Sequence, residues 1–286
     1  MCARPRPPLT KSSASRSPQS APITSRENHW LKLFRAVLHS SRPEEERIGL
    51  EGVRLVSEAI RSGLEFEAIL ASASAEKSLA ALLAELDRPT LVLRTTDKLF
   101  ASVAATETPQ GIAALLRAPQ FAFEDLLRGA YPLVVVLAGV QDPGNVGTIL
   151  RSAEALGATG AIALRGSAHP HSPKALRASA GSALRLPVIS ELATPLALAQ
   201  LRVSGLKIVA ASSAKNPAAR DPESFTFRQR VALLIGNEGA GLAPEIERSA
   251  DALIRIQLAE PVDSLNAAVA ASLILYEAAR QRRGLK

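Results

Sequence analysis

The 286-residue chain has a single cysteine, Cys2, which excludes a disulfide framework and any cysteine-cluster metal site. Aromatic residues make up only 3% of the sequence, so a core must be built from Ala, Leu, Val and Ile. No uninterrupted apolar run approaches the ~20 residues that a membrane-spanning helix requires. Acidic residues are missing before Glu27, while Arg4, Arg6, Lys11, Arg16 and Arg26 lie in that stretch and supply most of the net charge of +7. What remains, 47% hydrophobic and 21% charged, is the balance of an ordinary soluble globular protein. Its length suggests about two domains at ~150 residues each. The basic excess points toward nucleic acid or another anionic surface, although much of it sits in the tail.

Residues 1–26 are rich in Pro, Ser and Arg without apolar periodicity, and a disordered basic tail is expected there. The tail lacks the apolar segment of a secretory signal, so a cytoplasmic location is expected. Its acid-free Arg/Ser composition leaves organellar import as the alternative, against which the prolines count because they oppose an amphipathic helix.

Residues 27–117 read as a small α/β domain. Trp30, Leu31, Phe34, Val37 and Leu38 recur at helical spacing, which makes Trp30 a core residue rather than a base-stacking one. Val53, Val56, Ala59 and Ile60 mark a second helix, after the short segment Arg47 to Glu51. Phe66 to Leu70, Thr90 to Leu93 and Gly111 to Leu116 read as strands, with a helix over Lys77 to Leu86. Residues 118–130 read as a linker with a short helix.

From 131 to 286 apolar strands and helices alternate. Strands are expected at Pro132–Ala138, Ala161–Leu164, Lys207–Ala211, Val231–Ile235 and Ala252–Ile256. Helices are expected over Val146–Leu156, Lys174–Ala183, Glu191–Val203 and Ser264–Arg283. Such alternation implies a mainly parallel sheet with helices on both faces and ligands at the carboxyl ends of the strands.

Three post-strand segments are unusual. In LAGVQDPGNVGTILRSAEALGATG, Asn145 is placed to cap a helix whose buried stripe is Val146, Ile149, Leu150 and Ala153, with Arg151 beside that stripe. LLIGNEGAGL has three glycines within six residues, suited to positive φ and close approach to a ligand. It is neither a Walker loop nor a dinucleotide fingerprint, and Glu238 between its glycines fits a neutral or cationic ligand better than a phosphate. In IRIQLAEPVDSLNAAVAASLILYEAARQR, Asp263 or Ser264 is placed to cap a helix that is apolar nearly all round, as though buried against another subunit. Each segment also has a plain structural reading as a strand-to-helix connection. His169 and His171, in AHPHSPK, read as a solvated loop rather than a metal pair.

Taken together, Asn145-Val146-Gly147 through Arg151, Gly236-Asn237-Glu238-Gly239 through Leu242, and Ser264-Leu265-Asn266 resemble, in order and spacing, the three motifs of the SpoU (TrmH) family of RNA methyltransferases. Weaker cues, Glu51 to Val56 and Thr106 to Ile112, resemble the substrate-binding domain of the family's larger members. The resemblance implies transfer of a methyl group from S-adenosylmethionine to a ribose 2′-hydroxyl, a deep trefoil knot in residues 131–286, and a homodimer through that domain. It places Gly236, Ile256 and Leu265 at the cofactor. Asn145, Arg151, Glu238, Ser264 and Asn266 take the catalytic or RNA-facing positions, and no metal is implied. Glu260-Pro261 departs from the pattern, standing where relatives often have glycine.

The separate N-terminal domain favours ribosomal over transfer RNA by family analogy. A catalytically silent RNA-binding or ribosome-assembly protein of the same fold is the competing class, against which the intact Asn145, Arg151, Glu238 and Asn266 argue. A small-molecule nucleotide enzyme is disfavoured because the phosphate fingerprints are missing.

Overall fold

The computed structural model describes residues 21–43, 46–213 and 216–284. Its N-terminal domain runs α1 (His29–His39), β1 (Arg47–Glu51), α2 (Val53–Arg61), β2 (Phe66–Ser72), α3 (Glu76–Glu85), β3 (Leu91–Thr95), α4 (Asp97–Ala101) and β4 (Ile112–Arg117). The strands pair in the order β1-β4-β2-β3, antiparallel except for β2 with β3. α1 forms because the Asn28 side chain caps Trp30 and because Leu31, Phe34, Val37 and Leu38 share one buried face. Trp30 packs partly buried against the same cluster.

The expected tail mostly lies outside the described residues, but its last part differs from expectation. Ile23 is buried, donates its N–H to the Arg94 carbonyl at 2.7 Å, and accepts from the Thr95 hydroxyl at 2.9 Å. A β-bridge to Thr95 therefore lies within the stretch expected to be disordered, before residue 26. The expected linker carries a short helical turn and is anchored by it. Leu126, in a 3₁₀ turn over Phe123–Leu127, is fully buried, and Gly160 lies so close that a Cβ there would come within 2.6 Å of it.

The C-terminal domain runs β5 (Leu133–Ala138), α5 (Pro143–Ala155), β6 (Gly160–Leu164), α6 (Pro173–Ser179), α7 (Ser182–Arg185), β7 (Val188–Leu192), α8 (Thr194–Val203), β8 (Lys207–Ala211), β9 (Val231–Gly236), α9 (Pro244–Arg248), β10 (Ala252–Ile254) and α10 (Ala267–Arg282). All six strands are parallel, in the order β10-β8-β9-β5-β6-β7. Strand residues alternate between two cores, as the period of two dictates. Leu133, Val135 and Leu137 join one core with α5 and α10, while Val134 and Val136 join the other with α8. Both faces are covered, so the strands read as continuous apolar runs.

Four local expectations are corrected. Glu191 does not begin a helix; it belongs to β7, with φ 60°, before α8 starts at Thr194. The helix expected over Lys174–Ala183 breaks at Ala180 and Gly181, both left-handed, because the chain turns there against Glu58 of α2. Asp142, not Asn145, caps α5, accepting from Gly144 N–H at 3.0 Å. Asn266, not Asp263 or Ser264, caps α10, accepting from Ala268 and Val269.

The two domains share a core. Ile48, Leu50 and Leu55 lie in one apolar cluster with Leu176 and Leu184. Arg185 bridges them, donating to Glu58 at 2.7 Å and to both oxygens of Glu154 at 2.8 Å. The hydrogen-bonded Glu154 carboxylate raises the Arg185 pKa further.

His169 and His171 are not a solvated loop. His171 is buried and its Nε2 donates to the Ala183 carbonyl at 3.1 Å, while His169 accepts from His171 N–H and meets the Ser190 hydroxyl at 3.0 Å. Burial lowers the pKa of each to about 4, with the neighbouring His171 adding to the effect on His169. An unfolded histidine titrates near 6.5, so the unfolded chain binds protons first as pH falls. The stabilisation is present above pH ~6.5 and is lost between there and pH ~4, by about 3 kcal/mol for the fully buried His171. His171→Gln, which keeps a donor for Ala183, is expected to flatten this part of the stability profile. Urea unfolding at pH 7 and pH 4.5 checks it; equal acid losses in both proteins would remove His171 as the cause.

Candidate active site

The carboxyl ends of β5, β8, β9 and β10 are adjacent, and the loops that follow them converge. The loop after β9 folds on itself. Asn237 N–H donates to the Gly241 carbonyl at 2.8 Å, and Gly241 N–H returns the bond at 3.0 Å. The Asn237 side-chain oxygen accepts from Gly239 and Ala240 N–H at 2.9 and 3.0 Å, and its amide donates to the Gly139 carbonyl at 3.0 Å. Asn237 thus shapes the glycine loop and ties it to the end of β5, a role the sequence reading missed. The available signal was an Asn directly ahead of closely spaced glycines, a favourable setting for an Asx turn.

Gly236 is needed for the same closure. A Cβ there would lie 2.4 Å from the Gly241 carbonyl carbon and 2.5 Å from the Leu242 nitrogen. The sequence reading gave that space to the cofactor, but the loop's own backbone fills it.

Three motif residues far apart in sequence meet through their side chains. Asn145 donates to Glu238 Oε1 at 2.9 Å, and Asn266 donates to Asn145 Oδ1 at 2.9 Å. Glu238 also accepts from the Asp142 and Gln141 N–H groups at 3.3 and 3.4 Å. Partial burial opposes its charge, but the Asn145 amide and the backbone donors outweigh that and hold its pKa below the usual carboxylate value. Glu238 is therefore an ionised hydrogen-bond acceptor at neutral pH and has no proton to give. The network locks the β5, β9 and α10 connections to one another.

Beneath these loops lies a cleft of about 330 Å³. Gly236, Glu238, Ile256, Ser264 and Leu265 line it, while Asn145 and Asn266 stand behind in the network. Its floor is apolar, from Ile235, Ile254 and Leu258 among others. Glu238, Glu247 and Asp263 are its charged residues, and among the described residues no Arg or Lys lines it. Ser212, Asn216 and Glu247 form a second polar cluster at its wall, with Asn216 donating to Ser212 at 2.9 Å and to Glu247 at 3.2 Å; the sequence reading did not single these out. The Glu260–Pro261 peptide in the neighbouring loop is cis. Ser264 is exposed at the cleft, and its hydroxyl has no partner among the described residues.

Arg151 stands apart from this cluster. It is exposed on α5, in the second turn after Asn145, and lines a different cleft on the side of the N-terminal domain. Among the described residues, no group of three or more His, Cys, Asp or Glu is placed to hold a metal ion.

Residues 132–276 match the SpoU rRNA Methylase family, and residues 36–114 match the MRM3-like substrate binding domain. The chain belongs to the SpoU rRNA methylase family. It is 32% identical over 281 residues to the 23S rRNA (uridine(2479)-2'-O)-methyltransferase of Streptomyces viridochromogenes, covering 96% of this chain and 97% of that one. It is 31% identical over 248 residues to the 23S rRNA (guanosine(2553)-2'-O)-methyltransferase RlmP of Bacillus subtilis, covering 86% of this chain and 93% of that one. The SpoU methyltransferase AviRb of Streptomyces viridochromogenes, solved in complex with AdoMet, superposes with a TM-score of 0.81 at 30% identity, over 91% of this chain and all of that one.

Proposed function

We propose that this protein is an S-adenosylmethionine-dependent methyltransferase that methylates a ribose 2′-hydroxyl in ribosomal RNA. The observation that carries the reading is the charge of the cleft under the glycine loop. A site with acidic residues, an apolar floor and no described Arg or Lys suits an adenosine bearing a sulfonium and an ammonium group, and does not suit a nucleotide phosphate. Its volume falls at the small end of the ~300–1,000 Å³ usual for ligand sites. Gly236, Ile256 and Leu265 would hold the nucleoside; bound there, S-adenosylmethionine supplies an electrophilic methyl group.

The protein's own residues orient the acceptor. The Asn145–Glu238–Asn266 network fixes the loops around the site, so these three act as positioning residues. Ser264 offers a free hydroxyl to the ribose at the mouth of the cleft. Arg151, which lines the neighbouring inter-domain cleft rather than this one, is assigned to the RNA side, where it stabilises the nascent 2′-alkoxide and its neighbouring phosphate electrostatically. Incubating the protein with unmodified ribosomal RNA and methyl-labelled S-adenosylmethionine, then mapping ribose methylation, tests the reading. One 2′-O-methyl nucleotide is the expected result. Label on a base, on transfer RNA alone, or on nothing would overturn it.

The reading includes the trefoil knot of the family and a homodimer built on α10. The dimer is supported by Val269, Leu273 and Tyr276, which follow one another at spacings of four and three and are 47%, 46% and 51% exposed on an otherwise packed helix. Leu273→Glu is expected to yield a folded monomer in analytical ultracentrifugation at micromolar concentration. A monomeric wild-type protein, or an unaffected dimer in the variant, would count against α10 as the interface.

A further inference from the structure

A second cleft, of about 380 Å³, lies where the N-terminal domain meets α5 and α6. Arg54 of α2, Arg151 of α5 and Arg177 of α6 line it together with Thr106, Thr108 and Gln110. All three arginines are exposed, and their guanidinium groups make no hydrogen bond, ion pair or ring contact with any described residue. Arginines elsewhere in the two domains are paired instead: Arg47 with Glu67 at 2.6 Å, Arg94 with Glu76 at 3.0 Å, and Arg185 with Glu58 and Glu154 at 2.7 and 2.8 Å. Like charges gathered in one concavity without acidic partners make a site for an anion.

The one carboxylate in the lining makes no ion pair with them among the described residues. Glu51 is buried, accepts from Ala105 N–H at 2.7 Å, and is also hydrogen-bonded by the Thr106 hydroxyl. Gln110 accepts from Val53 N–H at 3.1 Å through its oxygen, which leaves its amide nitrogen as a donor. The cleft therefore offers guanidinium forks, hydroxyls and an amide, the donor types that bind phosphate and sugar oxygens. Its small volume takes a splayed single strand rather than a duplex. It is also joined to the acidic cleft through α5, which carries both Arg151 in this lining and Asn145 in the network that holds Glu238. One helix thus links a site for a cation to a site for an anion.

Resting on the function proposed above, we infer that this inter-domain cleft seats the phosphodiesters of single-stranded RNA flanking the methylated nucleotide, with Arg54 and Arg177 as RNA-binding residues contributed by the two domains. Arg151 lies between that backbone and the reacting ribose. The N-terminal domain then completes the active site instead of acting only as a remote anchor.

The test uses the full chain, an unmodified ribosomal RNA transcript and methyl-labelled S-adenosylmethionine. Arg54→Gln and Arg177→Gln are each expected to raise KM for the transcript about tenfold, leaving kcat within about threefold and cofactor affinity unchanged. Filter-retention binding at several salt concentrations should lose about one unit of log–log slope per arginine removed, and the lysine variants should keep the slope. Arg117→Gln, at an exposed arginine outside the cleft whose side chain also has no described partner, serves as the control. A double glutamine variant with the KM and salt slope of the control would overturn the inference. So would a rise in KM accompanied by equal loss of cofactor affinity and melting temperature, which would make the arginines structural, or tighter binding of a duplex than of a single strand. Failure of the wild type to bind the cofactor or transfer label overturns the proposed function alone, because RNA binding and its salt slope still decide the cleft.

Discussion

Arg151→Ala is expected to bind S-adenosylmethionine as the wild type does and to transfer its methyl group at least about a hundredfold more slowly under single-turnover conditions. The first half follows from position. Arg151 lines the inter-domain cleft and has no contact with the cleft under the glycine loop, so its removal leaves the cofactor's surroundings intact. The second half follows from chemistry. A ribose hydroxyl is a poor nucleophile, and a guanidinium beside it stabilises the negative charge that develops as its proton leaves. Calorimetric titration with the cofactor and rapid-quench transfer to a ribosomal RNA transcript separate the two halves. Transfer by the alanine variant near the wild-type rate would take Arg151 out of the mechanism.

Two roles for that arginine differ in their consequences. As a general base, a guanidinium of ordinary basicity must first lose a proton, at a cost of roughly 8 kcal/mol at neutral pH. General bases typically contribute ~10²- to 10⁴-fold, so that cost offsets the benefit and more. The electrostatic role needs only a charged, planar fork near the alkoxide. Arg151→Lys keeps the charge and deprotonates more readily but lacks the fork. It is expected to stay nearly inactive at every pH; activity that climbs with pH would restore the base.

The parts of this architecture set by local apolar runs were legible in the sequence. The Leu133–Ala138, Lys207–Ala211 and Val231–Gly236 strands are buried on both faces, and their Val, Leu and Ile content shows it directly. β7 was not legible because Ser190 and Glu191 interrupt its apolar pattern at the sheet edge, and Glu191 reads as well at the start of a helix. β1 was noted only as a segment, since Arg47 and Glu51 frame it and its pairing partner β4 lies far along the chain. The candidate site divides in the same way. Motif spacing located Asn145, Glu238 and Asn266, but their mutual hydrogen bonds span 93 and 121 residues and depend on β5 and β9 being neighbours. The histidines near residue 170 misled because polarity suggests solvent, whereas their partners are a backbone carbonyl and a serine hydroxyl.

Gly236→Val is expected to abolish measurable cofactor binding and to lower the melting temperature by about 5 °C or more. The sequence alone suggests a glycine kept small for a ligand, which predicts a normally folded variant with an empty site. The structure assigns the space to protein. A first side-chain carbon at residue 236 would sit 2.4 to 2.6 Å from three backbone atoms of Gly241 and Leu242, and backbone has no rotamer with which to yield. Relief requires breaking the paired Asn237–Gly241 hydrogen bonds, and with them the Asn237 turn that holds Gly239 and Ala240 in place. Overpacking of this kind costs ~1–3 kcal/mol, and each kcal/mol shifts the melting point of a chain this size by ~2–4 °C. Gly239→Ala is the matched control, because the nearest atom to a Cβ there is the Asn237 oxygen at 3.7 Å and the loop stays closed. Calorimetric titration with S-adenosylmethionine and thermal unfolding on both variants give the reading. A Gly236→Val protein that melts with the wild type and still fails to bind would return the glycine to the ligand; one that melts early and cannot bind shows that the loop's closure makes the site.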